Sequence, residues 1–144
     1  MEMKGNRKNR YQRLVFSCLL GISCFICGCQ MQEAKAEKIQ DVEFVLVEED
    51  ALPEELLAKI EENKATDMKL VWKSGESTYI VRGYGEQETG GYSIQILELY
   101  QTKNSVILKT NLLGPAKGSV KNTSPSFPYV VLKTKTLPET LIFD

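Results

Sequence analysis

TYIVRGYGEQETGGYSIQILELYQ, Thr78–Gln101, decides the fold. Its two flanks, Thr78–Tyr84 and Tyr92–Gln101, are rich in Ile, Val, Tyr and Thr, the residues that fit a pleated surface. Between them four glycines (Gly83, Gly85, Gly90, Gly91) fall within nine residues. Gly85 and Gly90 have the spacing of a phosphate-binding loop. That loop needs Lys and then Ser or Thr after its second glycine, and here Gly91 and Tyr92 follow. Glu86 and Glu88 repel phosphate, and the segment leads into a strand, so no helix dipole faces an anion. Nucleotide binding is excluded. Two readings remain. Gly90 and Gly91 supply positive φ at a tight strand connection, with Tyr92, Ile94 and Ile96 facing the core at period two. Alternatively Thr89-Gly90-Gly91 forms an exposed tip that docks a partner.

Working outward, MKLVWK (68–73), SVILKTN (105–111), PYVVLKTK (128–135) and the terminal LIFD read as further strands, bounded by Gly, Asn, Ser or Pro. Lys73–Ser77 and Thr102–Asn104 read as turns. VEFVLV (42–47) reads as one strand with Val42, Phe44 and Leu46 on one face. LPEELLAKIEEN reads as a short helix. Pro53 suits its first position, Glu54 and Glu55 suit the positive dipole end, and Leu56, Leu57 and Ile60 form its apolar side. The expected fold is mainly β, a β-sandwich or partly open antiparallel barrel with one short N-terminal α-helix.

The first 29 residues differ from the rest. They hold all four cysteines (Cys18, Cys24, Cys27, Cys29) and five basic side chains against one acidic. Of the chain's 18 basic and 19 acidic residues, 13 and 18 remain downstream. A basic stretch, then fifteen apolar residues from Leu14 to Gly28, matches a signal-peptide core and is short for a bilayer span of about 20 residues. Ile26-Cys27-Gly28-Cys29 resembles the bacterial lipobox, which implies cleavage before Cys29 and diacylation of its thiol. Two acyl chains make a stable anchor. An uncleaved anchor is the alternative. The expected organisation is 1–28 signal peptide, 29–40 lipidated cysteine and polar tether, and 41–144 a β domain on the extracytoplasmic face of the cell membrane.

The composition removes most chemistry. There is no histidine, so Ser/His and Cys/His nucleophile systems are absent. Cys24, Cys27 and Cys29 lie in an apolar run with no fourth ligand nearby and no histidine to supply one, which speaks against a metal. No Ser-x-x-Lys and no Asp-x-Asp-x-Asp-Gly calcium loop occurs. Glu48-Glu49-Asp50 reads as helix capping. The acidic downstream chain argues against nucleic acid. No cofactor and no catalysis are expected.

Three stretches, GYGEQETGGYSI (83–94), LLGPAKG (112–118) and SPSFPYVVLKT (124–134), resemble the PrcB C-terminal-domain family in the right order. The resemblance spans about Val71 to Phe143, and more loosely the upstream strand and helix. It implies a small bacterial lipoprotein or protease-complex subunit with a non-catalytic role beside a surface protease. Gln87–Tyr92 is also loosely similar to the docking loop of chagasin-type cysteine protease inhibitors, lacking its Asn-Pro. The candidate partner-binding residues are Thr89, Gly90, Gly91, Tyr92, Tyr84, Phe127 and Pro128. A cell-wall ligand module resting on Trp72 is a further alternative, although Trp72 and Tyr79 read first as core or sheet-face residues.

Overall fold

The structure, a computed structural model, describes residues 37–119, 123–137 and 140–144. The leader and Cys29 lie outside the described residues. In chain order the elements are β1 (Gln40–Asp41), β2 (Val45–Leu46), a 3-10 turn (Glu49–Ala51), α1 (Glu54–Asn63), β3 (Asp67–Ser74), β4 (Ser77–Tyr84), β5 (Ser93–Gln101), β6 (Ser105–Leu113), β7 (Tyr129–Lys135) and β8 (Thr140–Phe143). They form two four-stranded sheets, ordered β1-β5-β6-β8 and β2-β7-β4-β3. The mainly-β expectation holds, in its sandwich form and not its barrel form.

β4 organises the molecule. Residues Thr78 to Gly83 are all buried because both faces of this strand are covered. On one face Tyr79 and Val81 pack with Met68, Val131 and the fully buried Leu56 and Ile60 of α1. On the other, Ile80 packs with Leu99, Val106, Leu108 and Leu132 between the sheets. Each such apolar side chain contributes about 1.5–3 kcal/mol on burial. The helix sits as its pattern requires, with Leu56 and Ile60 one turn apart and Glu54 and Glu55 in its first turn. Pro53 falls one position earlier than expected, just outside the first helical residue.

Several connections follow the sequence. The β3–β4 hairpin turns at Gly75 and Glu76, with Gly75 at φ 57 and Ser74 paired to Ser77. The β5–β6 turn is locked by Thr102, whose N–H donates to Ser105 O at 2.8 Å, while the Ser105 N–H donates to Thr102 Oγ1 at 3.2 Å.

Three expectations are corrected. VEFVLV is not one strand. β1 pairs with β5 in one sheet and β2 pairs with β7 in the other, so Glu43 and Phe44 cross between them. The Thr134 hydroxyl donates to Glu43 O at 2.8 Å and holds the crossing. Its side chains do not share one buried face either, since Val42 packs in the core while Leu46 is 60% exposed. Glu49 does not cap the helix. It stands in the 3-10 turn and accepts a 3.0 Å hydrogen bond from the Tyr129 hydroxyl. β8 is a strand as expected, but it runs parallel to β6. The chain leaves β7 at the same pole where β6 begins, so a strand returning through the first sheet must run with β6.

Thr78 Oγ1 is buried and, among the described residues, without a hydrogen-bond partner. Leaving a hydroxyl desolvated costs about 1–3 kcal/mol, and an isosteric apolar replacement removes that cost. Thr78→Val is expected to raise stability by about 1 kcal/mol. A urea midpoint unchanged or lowered in the variant contradicts this.

Candidate functional site

The glycine segment is not a hairpin. β4 ends at Tyr84 in one sheet and β5 begins at Ser93 in the other, so Gly85–Tyr92 carries the chain across the sandwich. Gly85 (φ 72) and Gly91 (φ 86) adopt the left-handed region that the connection needs. A Cβ on Gly85 would stand 3.1 Å from the carbonyl oxygen of Ala65, and one on Gly91 would stand 3.1 Å from Pro115 Cβ. The Glu86 N–H donates to that same Ala65 oxygen at 3.2 Å. The segment therefore lies close against the α1–β3 connection on one side and Gly114-Pro115 on the other.

The third sequence stretch closes on the same place. Gln87 and Ser126 exchange backbone hydrogen bonds of 2.8 and 3.0 Å. The Ser126 hydroxyl donates to Thr89 O at 2.7 Å, and Gln87 Nε2 donates to Tyr84 O at 3.0 Å. The Tyr84 N–H donates to Pro128 O at 3.2 Å. Three stretches distant in sequence thus meet at one pole of the sandwich, with the tip held at both ends.

Arg82 underpins this pole. Only 8% exposed, it donates through Nη1 to Asp67 Oδ1 at 2.6 Å and to the Met68 and Gly83 carbonyls. Its guanidinium lies 3.8 Å from the centre of the Tyr84 ring. The Tyr84 hydroxyl in turn meets Thr110 Oγ1 of the other sheet at 2.7 Å. The Arg82 hydrogen bond, ahead of its charge, holds the Asp67 carboxyl below its ordinary value. Nearby, burial and the Glu49 carboxylate push Tyr129 up to about 12, so its hydroxyl stays a donor.

The structure brings the expected partner-binding residues together. Thr89 and Gly90 are half-buried, Gly91 is exposed, and Tyr92 is half-buried with its ring against Gly114. Tyr84 has its hydroxyl, ring and N–H engaged within the protein, so it supports the pole more than it presents itself. Phe127 is half-buried with Lys64 Nζ 5.6 Å from its ring centre, and the Pro128 carbonyl is taken by Tyr84. Sequence reading misses Arg82, Asp67, Ser126 and Thr110. A lone Arg in an apolar strand is the signal for the first of these. Trp72 packs partly on the helix-side core, with Lys59 5.9 Å from its ring centre, and so is not an open platform.

Among the described residues no group of three Cys, Asp or Glu side chains is placed to hold a metal ion. No described helix is long and apolar enough to cross a membrane. An open groove of about 950 Å³ lies at the opposite pole, lined by Val42, Phe44, Ser77, Lys133, Lys135 and Leu137. That is where the chain joins the sandwich at Gln40, paired with Gln101.

The described chain is a two-sheet β-sandwich with a helix on one outer face, whose sequence-distant turn motifs converge at one pole. Residues 78–135 match the family model described as PrcB C-terminal. The match runs from β4 to the end of β7 and contains every motif that meets at the pole; the looser upstream resemblance lies outside it. No curated protein and no solved structure matches the chain.

Proposed function

We propose that this protein is a non-catalytic interaction domain, held to the extracytoplasmic face of a bacterial membrane by lipid on Cys29, and that it docks an exported partner protein such as a surface protease. The observation that carries the reading is the convergence at the glycine pole. Gly85–Tyr92 is braced by Ala65, Pro115 and Ser126, and Gly91 is left exposed at its end. A backbone-rich tip held in place loses little conformational entropy on docking. Its position supports the same reading. The described chain enters the sandwich beside Gln101 at the far pole, one strand length or roughly 25 Å away, so that entry does not cover the glycine pole. The inhibitor reading draws on the same tip, since a loop inserted into a protease cleft also needs a fixed backbone.

The test is crosslinking of the full-length protein in its own membrane, wild type beside a Thr89→Ala, Gly90→Ala double variant. The expected result is capture of an exported protein by wild type and loss of at least about tenfold in the variant, with circular dichroism unchanged. Equal capture by both reduces the glycine segment to a connection. Capture of nothing by wild type removes the docking role. Slowing of the captured protease at stoichiometric dose assigns inhibition in place of assistance.

A further inference from the structure

β5 is nine residues long, but its outer neighbour covers only its end. β1 pairs with it at Gln101 and Tyr100, and the Val42 N–H donates to Leu99 O at 2.9 Å. The chain then crosses to the other sheet. Among the described residues no strand pairs with the outer edge of Ser93–Glu98. Burial changes at the same point: Leu99 and Tyr100 are buried, and every residue from Ser93 to Glu98 is exposed or half-buried. Leu46 marks the same opening. It pairs with Leu132 of the core and so lies on the inner face of its sheet, yet it is 60% exposed.

Edge strands that must stay unpaired carry Lys, Pro or inward charges. β3, the edge of the other sheet, follows this rule with Lys69 and Lys73. Ser93-Ile94-Gln95-Ile96-Leu97-Glu98 has no Lys and no Pro, and its one charge is engaged with Lys38 and Lys109, each at 3.7 Å. Its bulge lies between Ile96 and Glu98 and leaves Leu97 52% exposed. A short, β-prone, nearly uncharged edge left open is a template for another chain.

We propose that this edge receives an extended peptide segment of a partner protein, which adds a strand in line with β1 and antiparallel to β5. Only a peptide backbone supplies the alternating N–H and C=O groups that an open ladder requires. The occupant is about six residues long, with apolar side chains at alternate positions to cover Ile94, Ile96 and Leu46. This inference stands apart from the glycine tip, and either can fail while the other holds.

The test is amide hydrogen exchange across residues 93–98 of the full-length protein in detergent. The probe is an acetylated Lys-(Thr-Val)3-Lys-amide peptide, with an analogue whose Val nitrogens are methylated. The plain peptide is expected to slow exchange in this stretch, and the methylated one to need at least about tenfold higher concentration, because its donors are removed. Leu97→Lys, at an exposed position that leaves the core intact, is expected to weaken the effect similarly. Equal protection by both peptides overturns the proposal, as does no protection at millimolar peptide. Slow exchange, before any peptide is added, of the amides in this stretch that point away from β6 also overturns it. If that slow exchange depends on protein concentration, the occupant is a second copy of this chain.

Discussion

Gly85→Ala is expected to destabilise the protein by about 2–3 kcal/mol and to lower its Tm by on the order of 10 °C. Two costs combine. Gly85 sits at φ 72, where a side chain costs about 1–2 kcal/mol. The added methyl would also stand 3.1 Å from Ala65 O and from Thr66 C, which are backbone atoms that cannot swing away. Gly75 separates the two contributions. It has φ 57, and a methyl added there would meet nothing within 4 Å, so Gly75→Ala is expected to show the conformational cost alone, about 1 kcal/mol. Urea denaturation of both variants makes the comparison. A Gly85→Ala loss no larger than that of Gly75→Ala contradicts the close approach of the glycine segment to the α1–β3 connection.

Arg82→Ala is expected to cost about 2–3 kcal/mol, chiefly through lost charge-assisted hydrogen bonds to Asp67, Met68 O and Gly83 O and the lost stack on Tyr84. Asp67→Asn is expected to cost less, about 0.5–1 kcal/mol, because the Asp67 side chain is 58% exposed and its interaction is screened. The pair also sets a pH dependence. Its folded-state value lies below the ordinary 3.8, so the unfolded chain binds this proton more tightly. The stabilisation is fully present above pH 3.8 and is lost as pH falls through the lower folded-state value. Urea midpoints measured from about pH 7 to about pH 2 are expected to show an acid-side loss in wild type that Asp67→Asn lacks in part. Parallel profiles for the two proteins would falsify the pairing.

These two residues show how unevenly the sequence discloses the site. The glycines are visible as glycines, and so is their role in a connection rather than a phosphate loop, because Gly91 and Tyr92 stand where Lys and Ser or Thr are required. That Gly85 meets Ala65 is not visible, since the contact spans twenty residues and depends on how α1 lies on its sheet. Arg82 is hidden for a related reason. Its neighbours in sequence are apolar, and its partner Asp67 reaches it only through the β3–β4 pairing.

Sequence alone determined the local elements: the strands, the helix with Leu56 and Ile60 on its buried side, and the hairpin at Gly75. These rest on side-chain periodicity, turn chemistry and dipole preferences, which act over a few residues. It also brought out a resemblance to the PrcB C-terminal family, whose model matches residues 78–135. Tertiary structure decided which strands share a sheet. It split VEFVLV between two sheets, made Gly85–Tyr92 a crossing between sheets, set β8 parallel to β6, and, among the described residues, left the outer edge of β5 unpaired over Ser93–Glu98. A period of two states that a strand has two faces but carries no information about which neighbour covers each one. That choice follows from burying both faces of β4 at once, a condition on the whole chain.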